Sequence, residues 1–396
     1  MTGIDFRKFR AIILITVVII VGYWQVAFLR NSLKWDILDC YLPWRYHHSE
    51  CMLSGEFPLW NPFQNFGYPI HADMHSTYYP PVWLIGSTTG YSNITFHFIL
   101  LLYLIIAGYG MFRLSFHFTG NDRSALITGI AYVLSGYFFS HAQELSTLAG
   151  AAWLPYVLLF YLRTLQLRRY FDAAVCTVFL FLVINGGYQA LTIILLYLLL
   201  LLFLYYIVKA LRDKDYRNLF SLLKLNLLIA GLLILLNLPT IISLYQVIPH
   251  VSRFGGLAED SISSFPFSPQ SLLSLFLPFA VVKEVQFFDT DITMNNAYTG
   301  IIILGFFILA LFRKRTAIEY IFIGFGLFSL FAAFGDYTPL RGILYHYVPL
   351  MNMFRGSAYF RLFFILPVFL LAGNSLSLFL KNPASQSKQL LQIIIA

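Results

Sequence analysis

The sequence predicts an all-α, polytopic transmembrane helical bundle of about ten spans. Three observations predict it: an apolar composition, apolar runs of membrane-crossing length, and positive charges gathered on one side of those runs. Of 396 residues, 59% are hydrophobic and 11% charged, against roughly 25% charged in an ordinary soluble domain. So few charges cannot build a water-facing shell, whereas a lipid-facing one needs almost none. Phe and Tyr are abundant, as suits anchoring at the two membrane interfaces.

A spanning helix needs about 20 mainly apolar residues. Runs near that length fall at 11–29, 94–112, 124–140, 148–162, 171–186, 188–208, 222–247, 297–312, 317–335 and 359–379. The first follows Arg7, Lys8 and Arg10 with no small-residue cleavage site after it, so it reads as a retained signal anchor with the N-terminus inside. Gly186-Gly187 makes a tight turn between two runs, and Pro239 should kink the run 222–247 and free a carbonyl that a neighbour must satisfy. The ending QLLQIIIA reads as the start of an eleventh helix, cut short, so a C-terminal continuation is expected.

Alternation then puts 30–93, 141–147, 248–296 and 336–358 outside, all within a single transmembrane domain, 1–396. Assigned to the nearest face, 18 Lys and Arg lie inside and 8 outside, while 12 of the acids lie outside. That is the positive-inside pattern of a multi-pass membrane protein with its N-terminus inside. It also disposes of the net charge of +8 as a sign of nucleic acid, because the bases sit in short gaps between spans and form no basic helix face.

The loop 30–93 is far longer than a helix–helix connection in a bundle. Leu33 to Leu53 has the spacing of an amphipathic helix lying on the membrane surface. Gly55, Pro58, Pro62, Gly67, Pro69 and Pro80-Pro81 then punctuate a structured, aromatic-rich segment. Asp36 and Asp39, three apart, are expected on one helix face, where neighbouring carboxylates at the lipid boundary suit a general base or a ligand for a divalent cation such as Mg or Mn; the plainer reading is a helix cap at Asp36. His71, Asp73 and His75 alternate, so that one side of an extended segment could hold a metal or, the preferred reading, contact substrate; the spacing matches no zinc signature. Cys40 and Cys51 share this loop, where a disulfide and two separate thiols both stand as readings.

In the second outer loop, the spacing of His141 and Glu144 suits a shared cavity and equally suits polar residues at a helix end. In the last, Arg341, Arg355 and Arg361 are three of the few outer bases, and Arg355 and Arg361 stand where a guanidinium takes a lipid phosphate or snorkels to headgroups. No nucleophile elbow, P-loop or dinucleotide fingerprint occurs.

The string SGEFPLWNPFQNFGYPIHAD, followed by YYPPVWL, resembles the YfhO-type bacterial membrane proteins. The likeness continues in order at LPTIISL, SPQSLLSLFLPF and GDYTPLRGILYHYVPLMNMFR. That family is similar to the C-type (GT-C) glycosyltransferases, polytopic enzymes that use polyprenyl-phosphate sugars outside the cytoplasmic membrane. The resemblance implies a GT-C-like architecture and an essential acid early in the first outer loop, with Asp36, seven residues before Pro43, as the better match and Asp39 as the fallback. It implies a polyprenyl-phosphate sugar donor and an envelope glycan, lipid or protein acceptor; from their charge and position, Arg355 or Arg361 is expected to hold the donor's phosphate. The rival readings are a non-catalytic transporter or flippase and an assembly subunit for lipid-linked glycans.

Overall fold

Each apolar run read from the sequence folds into helix, and no β-strand forms among the described residues of this computed structural model, which are 6–73, 77–250, 255–262, 264–283 and 285–383. The segment QLLQIIIA, with the expected eleventh helix, lies outside them, as does His75. Among the described residues, five helices are long and apolar enough to cross a membrane: Asn93–Thr119, Leu145–Leu167, Gln189–Arg212, Tyr216–Leu236 and Ser357–Lys381. Shorter apolar helices cover Phe9–Gly22, Tyr170–Gly186, Ile301–Leu311 and Ala317–Ala333. The run 124–140 becomes the helices Asp122–Val133 and Gly136–Ser140, which fall short of a span each.

The helix Tyr216–Leu236 carries the membrane argument furthest. The mean hydropathy of its most apolar window is 2.4, yet only 17% of that window is buried within the protein. Leu227, Ile234 and Leu235 are more than half exposed, an arrangement that water penalises and lipid does not.

The chain divides into two compact units. The first comprises Met1–Gly22, Leu104–Ser140 and Ala258–Ala396. Its centre is the helix Arg361–Lys381, buried along most of its length. Close approach there depends on small residues: Ser124 donates its hydroxyl to the Gly373 carbonyl, and a Cβ on Gly129 would stand 2.6 Å from the Gly108 carbonyl oxygen. The helix Ala317–Ala333 starts at a capping box, Thr316 with Glu319. Glu319 also takes Arg313 and the Asn374 amide.

The second unit comprises Tyr23–Tyr103 and His141–Leu257. The helix Leu145–Leu167 is its core, with 94% of its apolar window buried. Arg163 reaches the buried Asp172 at 2.9 Å. The run 222–247 is interrupted at Asn237, and Pro239 opens the new helix Leu238–Val247 at a position where its missing N–H costs nothing. Side chains repair the break: Asn185 donates to Asn237 at 2.7 Å and accepts from Thr240 at 2.8 Å.

Candidate functional site

The loop 30–93 is the most elaborate part of the second unit, and it is ordered by one buried helix face. Trp35, with φ +52°, turns the chain into a π-helical turn, Ile37–Tyr41, which runs on into the α-helix Leu42–Leu53 with Pro43 in its first turn. Ile37, Tyr41, Arg45, His48 and Ser49 are buried. The Tyr41 hydroxyl donates to Ser146 at 2.9 Å and the Ser49 hydroxyl to the Gly86 carbonyl at 2.8 Å. His48 Nδ1 donates to the Trp44 carbonyl at 2.8 Å, and its Nε2 lies 3.3 Å from the Thr77 hydroxyl. Burial and the Arg45 charge push the His48 imidazole down to about 4, so it is neutral at physiological pH. The stretch expected as a surface helix is helical from Ile37 to Leu53, with a π first turn; its buried side carries Arg45, His48 and Ser49, while Asp39 and Glu50 stay exposed.

After Gly55 the chain forms a small hairpin. Asn61 and Tyr68 exchange backbone hydrogen bonds of 2.8 and 2.9 Å, and the buried Asn61 side chain accepts from the Phe63 N–H at 3.0 Å. At the tip, Asn65 and Phe66 adopt φ of +49° and +63°, a conformation that side-chain-bearing residues hold only when the surroundings impose it. Gly67 follows at φ +123°, where a Cβ would meet the Trp60 ring at 2.2 Å. His47 ties helix to hairpin. Its Nε2 donates to the Trp60 carbonyl at 2.9 Å, which places the ring proton on that nitrogen, and its ring meets Phe63 edge-on at 6.0 Å.

Between helix and hairpin lies an open cleft of about 900 Å³. Asp39, Pro43, His47 and Glu50 line one wall at helical spacing, with Cys40, Trp44 and Tyr46 beside them; Asn61, Phe63, Gln64 and Asn65 line the other. Burial, then the Asp36 and Asp39 charges, push the Cys40 thiol up. Both cysteines of this loop are free thiols.

The residues singled out in the sequence separate as follows. Asp39 is exposed on the cleft wall, whereas Asp36 is exposed just before the π turn, makes no side-chain cap and is not among the lining residues. A π turn sweeps fewer degrees per residue than an α turn, so a spacing of three does not align the two carboxylates as an α-helix would. His71 and Asp73 are half-buried in and after a 3₁₀ turn, Ile70–Ala72, and His71 Nδ1 donates to the Leu59 carbonyl at 3.0 Å. His141 and Glu144 do come together, at 3.2 Å, with His141 fully buried and Glu144 also accepting from Thr147.

In the first unit, Arg355 is exposed, its guanidinium over the Phe265 ring. Arg361 is wholly buried between the Tyr137 and Phe267 rings and donates to the Thr293 carbonyl at 3.0 Å. Arg341 is also buried, and its two terminal nitrogens donate to the Met351 and Phe354 carbonyls at 2.9 Å, tying the loop 336–358 together.

Sequence reasoning missed Trp44, Tyr46, Glu50, Asn61 and Gln64. The repeat 39–43–47–50 along one helix face was the signal that held part of this wall. It also missed Arg45, buried at 4% exposure beside Tyr79, Tyr91 and Tyr103 in a chamber of about 20 Å³, enough for one water.

A divalent cation asks for several oxygen or nitrogen donors from one place. Among the described residues, no three His, Cys, Asp or Glu side chains gather in that way, and His75, the third member of the set His71-Asp73-His75, lies outside them. No family model, curated protein or solved structure matches the chain.

Proposed function

We propose that the chain is a glycosyltransferase of the GT-C kind in a bacterial cytoplasmic membrane, crossing it about ten times with the N-terminus inside. It transfers a sugar from a polyprenyl-phosphate donor to an envelope glycan, lipid or protein acceptor on the outer face. The observation that carries the reading is the exposed carboxylate of Asp39 on the wall of an ordered cleft, in the loop where the family resemblance asks for an acid.

Asp39 takes the proton of the acceptor hydroxyl as that oxygen bonds to the anomeric carbon. The bond from that carbon to the carrier phosphate breaks, the electron pair leaves with the polyprenyl phosphate, and the configuration inverts. Of the two arginines the sequence offered for a lipid phosphate, Arg355 is exposed and Arg361 is enclosed by aromatic rings, and neither lines the Asp39 cleft. The lining of the cleft favours Asp39 over Asp36 as the base.

The transporter reading has less to rest on. Its expected polar groups within spans, Asn185, Asn237 and Thr240, are bonded to one another and present no prepared cargo site.

The test supplies purified full-length chain with defined polyprenyl-phosphate sugars and acceptors and follows release of the free carrier phosphate. Asp39→Asn should lose about a hundredfold or more in rate while remaining folded and inserted, the scale of a missing general base. Asp36→Asn should retain most activity. Full activity in both variants would sink the reading.

A further inference from the structure

We infer that the cleft between the helix Leu42–Leu53 and the hairpin 61–68 is a saccharide subsite that takes a non-anionic sugar, uncharged or amine-bearing, and excludes negatively charged ones. As the acceptor subsite this rests on the transferase reading; as a binding site it stands by itself.

Three features of the cleft agree. Its size, about 900 Å³, falls in the range of roughly 300–1,000 Å³ typical of small-molecule sites. Its aromatic side chains come from both walls: Trp44 and Tyr46 from the helix, Phe63 from the hairpin. Phe63 is 87% exposed, a bare ring that a sugar's C–H face would cover. Its polar groups are those that read hydroxyls. Asp39 and Glu50 accept, often two hydroxyls per carboxylate, and the amides of Gln64 and Asn65 both donate and accept. Asn61 is 2% exposed and fixed by its bond to the Phe63 N–H, so this part of the wall is set before any ligand arrives.

Charge makes the reading specific. The lining residues include two carboxylates and no Lys or Arg, and His47 already gives its ring proton to the Trp60 carbonyl. A phosphate or uronate entering the cleft would meet like charge with no fixed cation to answer it, whereas a hydroxyl or ammonium would meet acceptors. The carrier phosphate therefore stays outside this cleft, and what enters is the sugar-bearing end of a substrate.

Binding to the full-length, detergent-solubilised chain, without donor, tests this with three probes: maltotetraose (neutral), a glucosamine tetramer (cationic) and a galacturonate tetramer (anionic). Titration calorimetry should show the first two binding and the third at least tenfold weaker. Trp44→Ala and Phe63→Ala should each weaken the neutral probe tenfold or more, and Phe63, being exposed, can be removed without disturbing the core. Glu50→Gln should narrow the gap between the neutral and anionic probes. Equal binding of the galacturonate, no binding of any probe, or a neutral affinity unmoved in both aromatic variants would overturn the subsite. Transfer activity with no probe binding defeats the subsite and leaves the transferase reading standing. The expected binding pattern with no transfer from any donor does the reverse.

Discussion

His48 shows how a single buried side chain sets the conditions under which the outer loop holds. Its folded value of about 4 lies below the ordinary 6.5 because burial, and then the Arg45 guanidinium, oppose the charged ring, while Asp73 partly favours it. The unfolded chain therefore binds the extra proton more readily. Stability from this site is complete above about 6.5 and is lost as pH falls toward 4, on the order of 3 kcal/mol in all. Amide exchange across the helix Leu42–Leu53 should accelerate over that interval, and His48→Asn should flatten the dependence. At this scale the sequence was partly legible. It offered Asp36 ahead of Asp39, whereas only Asp39 lines the cleft, and it paired His141 with Glu144 by spacing. It could not mark Arg45 or Trp44, because which face of a short helix turns inward is decided by distant partners such as Ser146, Gly86 and Thr77.

The hairpin 61–68 belongs to the scale of elements. It has one bridging pair, Asn61 with Tyr68, and depends on Gly67, whose φ of +123° and contact with the Trp60 ring leave no room for a Cβ. Gly67→Ala should cost about 1–3 kcal/mol locally. Neutral-saccharide binding should fall sharply with no change in helix content by circular dichroism; unaltered binding would show that the hairpin does not need that glycine. The sequence foretold punctuation here, since Pro and Gly mark turns, but not the cleft that the turn completes. It was a better guide to the run 222–247. The missing N–H of a proline is local physics, and the break does fall beside Pro239. The repair by Asn185 across 52 residues is not local, and no periodicity announces it.

For the whole molecule, composition alone decided the helical class, because a chain this apolar has few ways to satisfy its backbone in lipid. The grouping of non-consecutive segments into two units was not visible, since any apolar helix face will pack against many others. The charge bias argues that the loop 30–93 lies outside, and native thiols can check that. On intact cells, a membrane-impermeant maleimide should modify Cys40 and Cys51, both half-buried, and spare the buried Cys176. Modification should quicken as the medium is made alkaline, because both outer thiols are held above their usual range. Failure to label unless the cells are permeabilised would reverse the orientation. Cys40 also forms part of the cleft wall. A bulky adduct on its sulfur would plug the cavity from within, so a thiol-reactive blocker applied from outside, and reversed by a reductant if joined as a mixed disulfide, would serve as a chemical off-switch for the living cell's own copy of the protein.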